Sequence, residues 1–251
     1  RHGFGPQLLG NVMTSSEAAE QTQGEVAVAV KSPRRSLDRD ARRKLFRYMV
    51  HAAALFPLAW LIYDFWIGNL GAEPIRAITL RTGKAAIILL VASLSCTPLN
   101  TLFGWKYALT LRRPLGLYAF MYVCLHLLTF VWLDYAFFLP LIVEEIVARR
   151  YALVGFLAFC LLVPLALTSN KYSMKRLGKN WKKLHTAVYL IGILAVIHYI
   201  WLVKNAFTQP LIFAAIVATV LIIRLPGVKQ FILHSRRKIE AGVAAARKPS
   251  P

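Results

Sequence analysis

The segments PLGLYAFMYVCLHLLTFVWL, residues 114–133, and LHTAVYLIGILAVIHYIWLV, residues 184–203, decide the fold class. Each is a nearly unbroken apolar run of the length, about 20 residues, that crosses a bilayer as a helix. Each also holds a histidine deep in the run, His126 in the first and His198 in the second. Because an imidazole in hydrocarbon is costly, both residues are candidates for a functional site.

Four further apolar runs extend this pattern and predict an all-α membrane protein, a six-helix transmembrane bundle. The chain is 57% hydrophobic, against about 45–50% in an ordinary soluble domain. Pro114 and Pro210 are expected in the first turns of their helices, where a missing N–H breaks no hydrogen bond. The predicted spans are residues 48–67, 85–103, 114–133, 151–168, 184–203 and 210–223.

The spans divide the chain into a disordered basic amino-terminal arm at residues 1–43, a membrane domain at residues 44–224 and a basic cytoplasmic tail at residues 225–251. The net charge of +20 is concentrated in the arm, the tail and the loops on their side. Cytoplasmic loops of membrane proteins carry this excess of lysine and arginine. The pattern therefore predicts that both termini are cytoplasmic, with the basic loops against anionic lipid headgroups rather than nucleic acid.

Depth within the spans predicts which histidines meet. His126 lies 12 residues past residue 114 and His198 lies 14 past residue 184, so both are about 18–21 Å along helices that run in the same direction. We expect them to ligate one haem iron in the outer half of the membrane. His185 lies at the inner boundary, level with Arg112, and would then face a second site near the cytoplasm. His51, near the inner end of the first span, is expected to pack at the membrane interface, so that site has no second histidine.

The rotation of the helix complicates a site with two haems. His185 and His198 are 13 residues apart, so an undistorted helix turns them roughly 140° away from each other. Either the helix is distorted near Gly192, or the two porphyrins lie on different sides of it, or His185 has another role. Arg112 precedes His126 by 14 residues and returns to nearly the same face, where an arginine can pair with a haem propionate.

Simpler interpretations stay open for these residues. A histidine within the membrane can bridge two helices through a hydrogen bond, and His185, beside two lysines, can be a solvated loop residue. The three cysteines lack the spacing of an iron–sulfur or disulfide framework. The sequence also lacks a dinucleotide-binding glycine motif or a P-loop, so a redox protein of this kind needs a separate electron donor.

Short motifs in this chain recur, in order, in one known family. The chain resembles the MsrQ (YedZ) family of haem-binding membrane subunits, related to the ferric reductase-like transmembrane proteins, over roughly residues 44–232. The motifs are Gly71-Ala72-Glu73-Pro74, Thr97-Pro98-Leu99, Arg112-Arg113-Pro114-Leu115-Gly116-Leu117, Leu125-His126, Thr168-Ser169, Arg176-Leu177-Gly178-Lys179, Trp181, Leu184-His185, His198-Tyr199-Ile200-Trp201 and Val203-Lys204.

The resemblance implies six inner-membrane helices, one or two b-type haems and an associated FMN whose contacts no motif places. It carries the haem-binding role to His126, His185 and His198 and the family's arginine to Arg112. It also implies that electrons from a cytoplasmic flavin reductase or a quinone pass to a periplasmic molybdopterin methionine sulfoxide reductase, MsrP. The chain is then an electron-transfer subunit without a substrate site of its own.

Two other classes of function stay open. A ferric or quinone reductase would keep the haem and change the electron acceptor, and the family resemblance alone separates it from methionine repair. A transporter or assembly factor without redox chemistry would use the histidines as helix bridges or proton relays. The sequence offers little internal repeat of the kind that many transporters show.

Overall fold

The computed structural model describes residues 34–203 and 207–246, which are mostly helical. Backbone contacts divide the chain into two units after Met49, and the contacts given below lie in the second unit. A π-helical turn, Thr129–Asp134, extends the third helix. The helices are α1 at Arg34–Trp66, α2 at Pro74–Phe103, α3 at Ala108–Leu128, α4 at Leu139–Ala148, α5 at Arg150–Leu167, α6 at Lys171–Leu177, α7 at Lys179–Leu202, α8 at Thr208–Arg224 and α9 at Pro226–Ala246.

Five of the described helices are long and apolar enough to cross a membrane: α1, α2, α3 with its π-turn, α5 and α7. The pair α8 and α9, bent by 76° at the break between them, adds a sixth if it forms one broken span. The predicted all-α membrane protein is therefore confirmed. α8 begins at Thr208, with Pro210 in its first turn as predicted.

The predicted span starts are several residues too late for α1, α2, α3 and α7, because charged residues lower the hydropathy of a segment without ending its helix. α2 begins at Pro74 rather than at residue 85, and long basic side chains near a span end can reach water from a helical backbone. α3 begins at Ala108, so Pro114 lies inside it rather than in its first turn.

The two flanking segments are also helical where the structure describes them. Residues 34–43, predicted to belong to a disordered arm, form the start of α1, and residues 1–33 lie outside the described residues. In the predicted tail, α9 extends over Pro226–Ala246.

α2 is the central helix of the second unit. In its most apolar window 56% of residues are buried, against 11–17% in the other four spans. It packs most extensively against α3, while α5 packs most extensively against α7. Small side chains such as Ala85, Ala86 and Ala119 are almost fully buried in the core, and they let helix backbones approach closely within a membrane.

The spans alternate in direction, which gives the unit two ends. The end at which α3 and α7 begin is called the near end. The end at which α2 and α5 begin is called the far end. Contacts between Thr79 and His126 join the start of α2 to the end of α3. At the near end, the Ser93 hydroxyl donates to the carbonyl of Arg112 at 2.7 Å.

Tyr122 of α3 ties down a proline-containing turn of α1. Its hydroxyl donates to the Ala54 carbonyl at 2.9 Å and accepts from the Leu58 amide at 3.0 Å. A regular helix pairs these two backbone groups with each other, and Pro57 interrupts that pairing pattern next to them. Only 1% of Tyr122 is exposed, so its hydroxyl satisfies backbone groups that water does not reach.

We expect Tyr122→Phe to lower the stability of the protein, because the change leaves two backbone groups of α1 without their partner. Loss of a buried partner costs on the order of 1–3 kcal/mol, which a fall in the thermal unfolding midpoint in detergent measures. Tyr63→Phe is the matched control, since 57% of Tyr63 is exposed. Equal midpoints for the two variants would contradict the role given to the Tyr122 hydroxyl.

Candidate functional site: a histidine pair between two helix hairpins

The structure brings His126 and His198 together at the far end of the spans. Their ring centroids are 6.1 Å apart and the ring planes are nearly perpendicular, at 85°. His126 lies near the end of α3 and His198 near the end of α7. Both residues are half-buried.

Each ring is held by a backbone carbonyl of a neighbouring helix. The Nδ1 atom of His126 lies 2.8 Å from the carbonyl oxygen of Thr79, and the Nδ1 atom of His198 lies 2.7 Å from that of Tyr151. A carbonyl accepts only, so Nδ1 carries the proton in both hydrogen bonds. The lone pair is then on Nε2, which is the arrangement that metal-binding histidines use.

A glycine makes room for each ring. A Cβ atom at Gly155 would lie 2.6 Å from Nδ1 of His198, and one at Gly83 would lie 3.1 Å from Nδ1 of His126. No side chain fits at the first distance without displacing the ring, and the second is tighter than ordinary packing. The close approach of the histidines to α2 and α5 therefore depends on these two glycines.

The two halves of the site repeat the same arrangement. The carbonyl and the histidine are 47 residues apart in both hydrogen bonds, and each glycine follows its carbonyl residue by one helical turn. One copy is the hairpin of α2 and α3, and the other is the pair of α5 and α7. The matching positions of this repeat are few and widely spaced, so little of it is visible in the sequence.

A polar network adjoins the His198 half of the site. Arg149, at the start of α5, donates to the Tyr151 hydroxyl at 3.2 Å and forms an ion pair with Glu145 of α4. These contacts, with the Tyr151 hydrogen bond as the largest contribution, raise the pKa of the Arg149 guanidinium above its usual range, so the group stays protonated. Burial raises the pKa of the nearby Tyr135 hydroxyl, and the charge of Glu145 adds to that effect.

His185 lies at the near end, away from the far-end pair. Its ring stacks on Trp181 at 3.9 Å, its Nδ1 atom lies 3.1 Å from the Trp181 carbonyl, and its Nε2 atom lies 3.5 Å from the Ser169 hydroxyl. Arg112 is close enough to act on His185 electrostatically. The structure thus places these two predicted site residues near each other.

The course of α7 settles one of the alternatives left open for His185. The helix is continuous from Lys179 to Leu202, so no break at Gly192 reorients the two histidines. His198 contacts Tyr151 at the far end of α5, and His185 contacts Ser169 just beyond the near end of α5. Both histidines therefore reach the region of one neighbouring helix, at opposite ends.

The donor set distinguishes this site from a structural metal site. Among the described residues, no group of three or more histidine, cysteine, aspartate or glutamate side chains gathers around a point. Structural zinc needs four protein ligands. A pair of imidazoles instead suits a metal whose other ligands come from a macrocycle, as in haem proteins.

Comparison with known proteins agrees with this class of membrane protein. Residues 82–196, which include both hairpins' glycines and His126 and His185, match the family described as ferric reductase like transmembrane component. No solved structure matches the chain.

More specific similarity comes from curated relatives, each named as the heme-binding subunit MsrQ of protein-methionine-sulfoxide reductase. The relative from Rhodospirillum rubrum is 46% identical over 191 residues, covering 75% of this chain and 92% of its own length. Those from Xanthomonas campestris and Herminiimonas arsenicoxydans are 47% and 44% identical, covering 68% and 72% of this chain and 82% and 84% of their own. The chain belongs to the MsrQ family.

Proposed function

We propose that this protein is a multi-pass subunit of the bacterial inner membrane that binds b-type haem and passes electrons to a periplasmic methionine sulfoxide reductase. The observation that carries the proposal is the His126–His198 pair, whose rings lie 6.1 Å apart at the far end. The relatives' name, heme-binding subunit of protein-methionine-sulfoxide reductase, supports both the cofactor and the partner.

The far-end residues fit a haem. Metal–imidazole bonds are about 2 Å long, so His126 and His198, with ring centroids 6.1 Å apart, would be close enough to hold one metal together. Both Nδ1 atoms are occupied by carbonyls, which leaves the Nε2 atom of each ring as the one that would bind a metal. Bound haem supplies one-electron redox chemistry, while the chain fixes ring orientation and, through the two glycines, permits the close approach of the helices.

The near-end residues support a second haem held differently from the first. His185 is the near-end histidine to which the family resemblance carries a haem-binding role, and Arg112 supplies a positive charge beside it. We expect His185→Ala to lose the near-end haem and to keep the far-end one. His126 and His198 are held by Thr79 and Tyr151, and neither contact involves His185. Haem and iron per protein, measured in detergent, should fall by about half. A fall to zero, or no fall, would contradict separate sites.

The near end is proposed to face the cytoplasm, where the electrons enter. Exposed basic residues cluster there, as the positive-inside rule requires, and they can attract an anionic flavin reductase. They also supply charge for the FMN phosphate implied by the family, but they lie on open surface, so no FMN site or step is assigned to them. The residues are Lys171, Lys175, Arg176, Lys182 and Lys183.

The acceptor is tested by reoxidation. Dithionite-reduced protein in nanodiscs, freed of excess reductant, should be reoxidised rapidly by a purified periplasmic methionine sulfoxide reductase in the presence of methionine sulfoxide. The family match to ferric reductases supports the competing assignment, so ferric chelate and a quinone are the parallel arms. A reoxidation rate that is much higher with ferric chelate or quinone than with the reductase would overturn the proposed partner.

A further inference from the structure

We propose that Arg224 is a second cationic residue of the near-end site and that it binds a carboxylate of the haem held there. The inference rests on the proposed function, since it needs a haem beside His185. Arg224 is the last residue of α8, and neither the spans' apolar pattern nor the family motifs single it out. Its contacts and its charge both point to an anionic partner.

The side chain of Arg224 is fixed in position by two other helices. One guanidinium nitrogen, Nη1, donates to the Tyr189 hydroxyl of α7 at 2.6 Å, and Nη2 donates to the Leu94 carbonyl of α2 at 2.5 Å. The guanidinium carbon also lies 4.8 Å from the centroid of the Tyr189 ring. A charged group at the end of a span is thus held by α2 and α7 rather than left to extend into water.

The Leu94 carbonyl accepts from Arg224 because proline has removed its usual donor. In a regular helix the amide four residues later donates to this carbonyl, and that residue is Pro98, which has no N–H. The kink-prone turn of α2 therefore creates an acceptor at the depth where α8 ends. This acceptor sets where the guanidinium lies.

Tyr189 connects Arg224 to the face of α7 that carries His185. The two residues are one helical turn apart and share that face. Arg112 lies within electrostatic range of both His185 and Arg224. Two arginines from α3 and α8 thus converge on the side of α7 that holds the near-end histidine.

The positive charges of Arg112 and Arg224 are not balanced by an ion pair among the described residues. Nε of Arg224 is buried and has no hydrogen-bond partner, and the ion pairs formed among the described residues do not include Arg112 or Arg224. A half-buried charge without an oppositely charged partner is costly, and like charges in proximity add to that cost. An anion between the two guanidinium groups removes both penalties, and arginine pairs well with carboxylates.

Of the anions available at this depth, a haem carboxylate fits best. A porphyrin held by His185, as the proposed function has it, would lie beside the arginines, and the two hydrogen bonds to Tyr189 and Leu94 use only some of the guanidinium N–H donors. A phospholipid phosphate has the same charge and is the competing occupant, which the experiment below separates.

The test compares Arg224→Gln, Arg224→Lys and Tyr189→Phe with wild-type protein in nanodiscs. Haem per protein and the midpoint potentials of both haems are measured by redox titration, and bound lipid is measured by native mass spectrometry. We expect Arg224→Gln to weaken near-end haem retention several-fold, or to lower that haem's midpoint potential, because a nearby positive charge favours the reduced form. Arg224→Lys should restore the potential, and Tyr189→Phe, which keeps the charge but removes one hydrogen bond that positions it, should shift the potential less than Arg224→Gln does.

The far-end haem is the internal control for folding. If Arg224→Gln loses both haems, or Tyr189→Phe shifts the potential as much as Arg224→Gln, then Arg224 is a structural clamp and the proposal is overturned. Unchanged haems together with loss of a bound anionic lipid would assign the site to lipid instead. A single haem in wild-type protein, unaffected by His185→Ala, would overturn this proposal while leaving the far-end pair of the proposed function intact.

Discussion

Replacing either His126 or His198 by alanine is expected to remove the far-end haem, because each supplies one of the two imidazoles whose ring centroids lie 6.1 Å apart there. Removing even a residue that orients a metal ligand costs about 10–100-fold in affinity, so loss of a ligand itself should exceed this. The measurement is the haem retained per protein after purification, with the Soret band of the reduced form as a second readout.

His234→Ala is the control for this pair, since His234 is an exposed residue of α9. It should keep the wild-type haem content. Retention of the far-end haem in either His126→Ala or His198→Ala would show that the two imidazoles do not hold it together.

Gly155→Ala should cause the next largest loss of haem, through sterics alone. The added methyl would lie 2.6 Å from Nδ1 of His198, so the ring must move away from the Tyr151 carbonyl that orients it. Alanine is more favourable than glycine within a helix by roughly 0.5–1 kcal/mol, so a general loss of helix stability does not explain the result. We expect haem retention to fall by roughly tenfold, as for loss of an orienting contact.

Two matched variants grade this effect. Gly83→Ala should lose less haem, because its Cβ would lie 3.1 Å from the His126 ring, and Gly227→Ala should lose none, because nothing lies within 4 Å of its Cβ. Haem content should be lowest in Gly155→Ala, higher in Gly83→Ala and highest in Gly227→Ala. Any other order would contradict the steric account of the site.

The apolar periodicity predicted the fold class and the meeting of His126 and His198, because span length and helical rise alone set depth in a membrane. It did not predict where α2 begins. Hydropathy reports transfer into hydrocarbon, and the polar turns from Pro74 to Lys84 are helical without being strongly apolar. Depth in the membrane likewise did not predict which neighbouring helix His185 contacts, because that depends on how α5 and α7 cross.

The contacts that orient the two histidines could not be predicted from the residue types along the sequence. The acceptors at Thr79 and Tyr151 are backbone carbonyls, which every residue carries, so no side-chain type marks them. The glycines left one signal, since Gly83 precedes His126 by the same number of residues as Gly155 precedes His198. In the sequence, Arg224 resembles an ordinary basic residue at a span end. Its contact with the Leu94 carbonyl, which Pro98 leaves without a helical donor, distinguishes it.

The central claim is that His126 and His198 hold one and the same iron. It is tested most directly by haem content in a His185→Ala background, where the far-end haem is the one expected to remain. We predict that His126→Ala, His198→Ala and the combined variant lose that haem equally, since groups acting as a unit are not additive. Partial losses in the single variants that sum to the loss in the combined one would contradict a shared iron.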